Sequence, residues 1–427
     1  MPNFKIKDSS SNSLLFAKGN PVKSFDLLVH GQGVFLFSTL SSQVTSHSFT
    51  LYTNDSSDGL IVTLDSNEFI VKRISNSNTF TSQDKKGGLT SKSGAYYWVS
   101  LDSQNQTLYA GIGEPRIETA CFSYQFEQNK LWEANKIFLE SLVKITIENS
   151  TIKPLKLLKN PITSVVPLKI KDTSELTMED VAGTEFLPSA NLSSSAQILY
   201  NCISGPKFTL NTPDFPDFSD AIEYSINTPG LWCNTRLTQK ATEFDKDPQP
   251  LETYLRITLG QNNGDSPGIP YVMEIWPAGH YSPIHNHSSA NAIIRVLHGK
   301  INVSLYPFLC DSVESVDPFA TKQFVKDDIT WISPTLNQIH KLENLDSNTE
   351  SCITIQCYLY DSSDSNHYDY FDYLGSNNSK NQYEPDSDMD FLDFKKTIRK
   401  EWESRPSKKI LKSKSSSWSL RRMLSLQ

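Results

Sequence analysis

The chain has 427 residues and a formal net charge of −8, with 37% hydrophobic and 21% charged residues. Two or three domains fit that length, and the acidic balance argues against a nucleic-acid surface on the folded part. No run approaches the roughly 20 apolar residues a membrane-spanning helix needs, and the start, MPNFKIKDSSSNS, has no apolar signal-peptide core.

Six cysteines are scattered without a C-x-x-C pair. That spread does not describe a disulfide framework, so a reducing, cytoplasmic setting is expected. Abundant Ser, Asn and Asp predict a packed core diluted by polar loops, with at least one disordered tail.

Residues 1–24 read as a polar lead. Residues 25–115 are read as an antiparallel β-sandwich: GVFLFST, SFTLYT, GLIVTL, EFIVKRI, YYWVSLD and TLYAGIG are rich in β-branched and aromatic residues, and turn-forming polar stretches separate them. YYWVSLDSQNQTLYAGIG resembles the small β-sandwich domain named after farnesoic acid O-methyltransferase. No Gly-rich loop for a nucleotide-like cofactor accompanies it, so a binding or packing module with an unidentified partner is expected.

Residues 116–205 form a connector whose pattern stays ambiguous. NKLWEANKIFLESLVKITI suits a short helix or a strand pair, and NLSSSAQILYNCISG suits a helix capped by Asn191 or Ser193. Residues 214–230 suit a helix opening a new domain. Residues 206–362 return to strands, with a tight hairpin turn at 298–300, as in a small antiparallel barrel or jelly roll. Residues 363–427 turn strongly acidic and then basic without sustained periodicity, which predicts a disordered tail; its basic end could touch an acidic partner or anionic lipid. The two strand-rich blocks are expected to fold independently, with residues 25–115 dispensable for chemistry.

The stretch GHYSPIHNHSSANAIIRVLHG, residues 279–299, places two of only eight histidines one residue apart. Residues i and i+2 of a strand face the same side, so His285 and His287 point together. Imidazole is a common ligand for Zn, Cu, Fe and Ni. His340, in SPTLNQIHKLEN, is the natural third ligand from a later strand. His280 reads as a supporting or turn residue, and His298 as a solvated turn residue.

The spacing from Gly279 through His285 and His287 to Gly299 resembles the first cupin motif, and His340 with Asn344 resembles the second. Many cupins carry a ligating Glu five residues after the second histidine; Ala292 stands there, which argues against a carboxylate ligand. A three-histidine set of this kind is similar to the cysteine dioxygenase superfamily. WPAGHYSPIHNH, TYLRITL and ENLDSNTESCITIQCYLY carry the resemblance, over about residues 214–362. It implies a mainly β chain with a C-terminal cupin (RmlC-like jelly-roll) barrel after the N-terminal sandwich. It also implies Fe(II) on His285, His287 and His340, Arg256 as the substrate-carboxylate clamp and Tyr358 as the catalytic tyrosine.

Two positions depart from that family. Mammalian-type members carry a cysteine where Ala292 stands and cross-link it to the tyrosine, which Ala cannot do. Gln356 replaces a histidine that supports the tyrosine. The expected activity is oxidation of a small carboxylate-bearing thiol, L-cysteine first, to its sulfinic acid with O2. The alternatives are a dioxygenase of 3-mercaptopropionate or another thiol acid, and a non-catalytic metal-binding cupin serving as scaffold or sensor.

Overall fold

A computed structural model describes residues 13–16, 23–39, 46–76, 79–83, 88–126, 132–147, 151–260, 269–311, 315–360 and 371–406. Among them, no helix is long and apolar enough to cross a membrane.

The N-terminal unit contains β1 (Ser13–Leu15), β2 (Ser24–Asp26), β3 (Gln32–Thr39), β4 (His47–Thr53), β5 (Gly59–Leu64) and β6 (Glu68–Arg73). It continues with β7 (Thr79–Gln83), β8 (Tyr97–Asp102), β9 (Thr107–Ile112), β10 (Ala120–Gln125), helix α1 (Trp132–Glu140), β11 (Leu142–Ile147) and β12 (Ile152–Leu158). Two six-stranded sheets form, in the orders β1-β12-β3-β8-β9-β10 and β2-β11-β4-β5-β6-β7. Strand alternation sends Phe35, Phe37, Val99 and Leu101 into the core between them, where they meet Phe49, Leu51 and Val62. Val34, Leu36 and Trp98 face the other way and are covered by Leu155, Leu158 and Ile162.

The sandwich therefore extends well past residue 115. Within NKLWEANKIFLESLVKITI, residues 132–140 form the short helix its pattern allowed, α1, and residues 142–147 a single strand, β11, in place of a strand pair; β11 and β12 each join a sheet.

The C-terminal unit begins with β13 (Lys169–Lys171), α2 (Met178–Gly183), β14 (Phe186–Pro188), α3 (Ser194–Ile203), α4 (Phe218–Asn227) and α5 (Trp232–Gln239). Ser193 caps α3, its hydroxyl accepting the Ala196 N–H at 3.3 Å. Strands β15 (Leu255–Leu259), β16 (Tyr271–Trp276), β17 (Asn291–His298), β18 (Lys300–Leu305), β19 (Ala320–Val325), β20 (Ile329–Ile332), β21 (His340–Glu343) and β22 (Cys352–Leu359) follow. The chain then adds β23 (Phe371–Leu374), β24 (Lys380–Tyr383), β25 (Met389–Asp390) and α6 (Phe391–Ser404).

An eight-stranded sheet, β14-β13-β20-β17-β22-β16-β15-β25, faces a three-stranded sheet, β19-β18-β21. Trp276, Val296, Ile301, Val303, Phe324 and Leu342 fill the space between them. Helices α3 to α6 cover the outer face of the large sheet through Leu199, Phe218, Ile222, Phe394 and Ile398. That double coverage explains why β17 and β22 read as nearly continuous apolar runs. The architecture is mainly β and jelly-roll-like, but among the described residues the sheets face each other as a sandwich and no ladder closes them into a barrel.

Two expectations need correction. Part of the connector belongs here, because β13 pairs with β20. The expected tail is ordered over residues 371–406: β23 and β24 form a hairpin, β25 adds to β15, and α6 buries Phe394 and Ile398. Its opposite charges mask an apolar stripe, Phe391, Phe394, Ile398 and Trp402, at helical spacing. Residues 407–427 lie outside the described residues.

The two units share buried surface. Ala95, Tyr96 and Ile112 of the sandwich pack with Tyr306, Phe308, Leu309 and Ile339 of the C-terminal unit. Independent folding of the two blocks is therefore not what their contacts imply.

Candidate metal centre

His285 lies outside any regular strand. Its N–H donates to the His340 carbonyl and its carbonyl accepts the His340 N–H, both at 3.0 Å. Beyond it, Ser288 and Ser289 take positive φ, 48° and 66°, turning the chain into β17. Residues 285–287 are held by isolated backbone bridges rather than a ladder, His285 bridging to Tyr373 on one side and to His340 on the other. The two side chains still project together, and the second bridge brings His340, first residue of β21, beside them.

The ligand atoms of His285, His287 and His340 all lie within 4.8 Å of one another. His287 Nε2 and His340 Nε2 are 3.0 Å apart. Two nitrogens about 2.1 Å from a common ion, set at a right angle, would lie about 3.0 Å apart. The His285 Nδ1–H donates to the Pro283 carbonyl at 3.0 Å, which leaves its Nε2 lone pair free.

Burial pushes all three imidazoles towards the neutral form: His285 falls to about 4, and His287 and His340 lie well below the ordinary value. Neutral imidazole is the ligating form. The donor set fits a divalent metal of the first transition row, with no carboxylate converging on it among the described residues.

A second, polar wall faces the imidazoles. Arg256 on β15 and Glu274 on β16 are cross-strand partners, 8% and 4% exposed. The Arg256 Nη1–H donates to Glu274 Oε1 at 3.1 Å. Gln356 Nε2 donates to Glu274 Oε2, and the Tyr358 hydroxyl donates to Gln356 Oε1. A carboxylate can only accept, so Gln356 must turn its amide nitrogen to Glu274 and its oxygen to Tyr358. The Tyr358 proton is thereby committed, and its hydroxyl oxygen is left as an acceptor. Burial, reinforced by the Glu274 charge, raises the Tyr358 pKa and keeps the phenol protonated.

Arg256 is desolvated, which pulls its pKa down, but Glu274 and the nearby Tyr358, Tyr254 and Tyr383 outweigh that and the net shift is upward. Burial pushes the Glu274 carboxyl up, opposed by the Arg256 and Gln356 donors aimed at its oxygens. The Arg256 Nε–H is buried and has no hydrogen-bond partner among the described residues.

The walls enclose a cavity of about 50 Å³. One water needs roughly 10–15 Å³ by the same measure, so the space suits a ligand of a few heavy atoms. The His287 ring stacks against Tyr358, centroids 5.8 Å apart, joining the two walls. Phe371, Tyr373, Tyr383 and Pro385, all from the segment expected to be disordered, complete the lining.

All five residues singled out in the sequence line this cavity: His285, His287, His340, Arg256 and Tyr358. His280 is outside it by its bonding, its Nδ1 held 2.9 Å from the Thr253 carbonyl, and His298 lies 3.3 Å from Glu350. Ala292 is the direct cross-strand partner of Tyr358, so the position opposite that tyrosine holds only a methyl group. Glu274 was missed. A single acid within the apolar run YVMEIW was its visible signal.

Fold and site together define a β-sandwich domain built around a three-imidazole cluster that fits a metal ion. Residues 241–370 match the family model of cysteine dioxygenase type I, a span that includes every residue of both walls. Solved structures similar to this chain include the cupin domain of Schizosaccharomyces pombe Cnp3, at 15% identity over 26% of this chain and 66% of that one, TM-score 0.20. An L-ribose isomerase of Cellulomonas parahominis matches at 13% identity over 22% of this chain and 50% of that one, TM-score 0.18. The DMSP lyase DddQ of Ruegeria pomeroyi matches at 16% identity over 26% and 49%, TM-score 0.19. The chain thus spans half to two thirds of these structures, and TM-scores this low carry no argument about function.

Proposed function

We propose that this chain is a cytoplasmic non-haem iron thiol dioxygenase that converts a small carboxylate-bearing thiol, L-cysteine first, to its sulfinic acid with O2. The observation that carries the reading is the three-imidazole cluster facing a buried Arg256 with an unpartnered Nε–H, across a cavity a few atoms wide. The family match over residues 241–370 supports it. Six free thiols support a reducing compartment.

His285, His287 and His340 would hold Fe(II), which supplies thiol deprotonation and O2 activation when bound. Both oxygen atoms go to sulfur, RSH + O2 giving RSO2H. The chain itself does the positioning. Arg256 Nε points a charge-assisted hydrogen bond at a ligand carboxylate and so places the sulfur at the imidazole wall. Glu274 offsets the guanidinium charge in the empty pocket, which keeps a lone buried cation from being left unpaired. The Tyr358 oxygen accepts from a ligand N–H or O–H.

The Arg256–Glu274 pair favours one competing reading, in which Arg256 already has its carboxylate and the substrate brings none. O2 uptake and sulfinate formation by the iron-loaded protein with L-cysteine, 3-mercaptopropionate and cysteamine separate the cases. Cysteine turning over fastest supports the proposal, and cysteamine turning over fastest supports the competing reading. Iron binding without turnover of any thiol would leave a metal-binding protein and no dioxygenase.

A further inference from the structure

Arg116 and Glu114 belong to the N-terminal unit, in the turn after β9, yet both are buried at 1% exposure. Burying charge is costly unless every donor and acceptor is used, and here they are used across the domain boundary. The Arg116 guanidinium donates to Glu114 Oε1 at 3.0 Å and to both Glu118 oxygens at 2.9 and 3.1 Å. It also donates to the Val166 carbonyl at 3.1 Å and to Asn337 Oδ1 at 2.9 Å. Glu114 Oε2 accepts the Gln338 N–H at 3.3 Å.

These last two contacts fall on the loop that presents His340. Asn337 adopts φ +62°, and its amide also donates to the Trp331 carbonyl at 2.9 Å. It stands three residues before His340, in the loop that presents it. Gln338 donates to the Ala290 carbonyl at 2.9 Å and accepts the Ser289 N–H at 3.1 Å, tying this loop to the turn just after His287. A continuous path of hydrogen bonds therefore runs from Arg116 to the elements bearing two of the three imidazoles.

Apolar packing follows the same route. Ile339 and Ile284, neighbours in sequence of His340 and His285, sit in one cluster with Ala95, Tyr96 and Ile112 of the sandwich. Gly94 and Gly113, at φ +85° and +79°, let the backbones meet: a Cβ there would lie 2.1 Å from the Leu309 carbonyl oxygen and 2.2 Å from that of Pro307.

We propose that Arg116 and Glu114 are positioning residues of the metal centre, holding the His340 loop in its ligating geometry, so that the N-terminal sandwich sets metal affinity from outside the domain that supplies the ligands. This rests on the three-histidine metal site and not on thiol turnover. Partners that orient a metal ligand typically change affinity 10–100-fold when removed.

The test is Co(II) binding to the full chain, measured by chelator competition, with the ligand-field absorption band reporting coordination geometry and far-UV circular dichroism reporting the fold. Arg116→Gln and Asn337→Gly are each expected to weaken Co(II) binding about 10-fold or more and to shift the band, with secondary structure retained. Asn337→Gly keeps a residue suited to positive φ, so it decides the matter if Arg116→Gln does not fold. Arg116→Lys should recover only part, because an ammonium lacks the planar fork. Lys92→Ala removes a boundary contact to the Ser315 carbonyl away from this path and should bind Co(II) as the native chain does. Native affinity and spectrum in folded Asn337→Gly would overturn the proposal, as would an equal loss in Lys92→Ala. A native chain that binds no Co(II) would overturn both this and the metal site itself, whereas binding without thiol turnover would overturn the dioxygenase reading alone.

Discussion

The two walls of the cavity use opposite means to stay buried. The imidazole wall is neutral: desolvation drives His285, His287 and His340 to their uncharged, ligating form. The opposite wall keeps charge by pairing it, Arg256 with Glu274, and closes the chain of bonds through Gln356 to Tyr358. One wall thus offers neutral imidazole nitrogens and the other a paired charge, across a space of about 50 Å³. The lesson is that binding preference follows from how each wall was relieved of its desolvation cost. It also separates what mutations should do on the two sides.

The largest effect should come from the imidazole wall. His340→Ala removes a ligand outright and should weaken iron binding by more than the roughly 10–100-fold typical of an orienting partner, with turnover lost in proportion. Stoichiometric iron in the purified variant would show that the imidazole wall is not the metal site.

Arg256→Ala should come next and should differ in kind. It leaves Glu274 buried without its cation, at a cost of about 3–5 kcal/mol in stability, read by denaturant melts. It also removes a charge-assisted contact worth about 1.5–3 kcal/mol, or about one to two powers of ten in kcat/KM for cysteine. Iron content should stay native. Adding Glu274→Leu should restore stability without restoring cysteine turnover. If the double variant regains turnover, Arg256 serves only to neutralise Glu274.

Glu274→Gln sharpens the comparison further. It keeps the shape of the wall but frees the guanidinium, so KM for cysteine and 3-mercaptopropionate should fall by about 10-fold, the lower end of what one hydrogen bond to a charged group is worth. KM for cysteamine should rise. Unchanged ratios among the three thiols would mean that the ion pair is structural and not read by the ligand.

Tyr358→Phe should be mildest. One hydrogen bond of about 0.5–1.5 kcal/mol is at stake, so a loss of roughly 2- to 10-fold in kcat/KM is expected, with metal content intact. A loss as large as that in Arg256→Ala would give Tyr358 a direct part in the chemistry.

Much of this was visible along the chain, where the signal was local. Runs such as GVFLFST and YYWVSLD became β3 and β8 because a short run of β-branched and aromatic residues specifies a strand, and here both of its faces are covered. The turn at Gly299, φ +68°, was marked by its residue type. The tail was misjudged because its charge blocks hid a four-residue apolar stripe, which became legible only against the surface α6 covers. Arg116 could not be recognised at all: in EPRIE it looks like a solvated surface residue, and its partner Asn337 lies 221 positions away.

The sequence by itself determined which side chains could share a face, since period-two alternation is a property of the backbone, and it determined that three imidazoles without a carboxylate were on offer. The tertiary structure alone decided the rest. Strand register set Glu274 against Arg256 and Ala292 against Tyr358. Docking of the sandwich against Pro307–Leu309 brought Arg116 to the His340 loop. Distances between groups hundreds of residues apart depend on how sheets and domains pack, and the local stereochemistry of a chain specifies the direction of a side chain but not what it will meet.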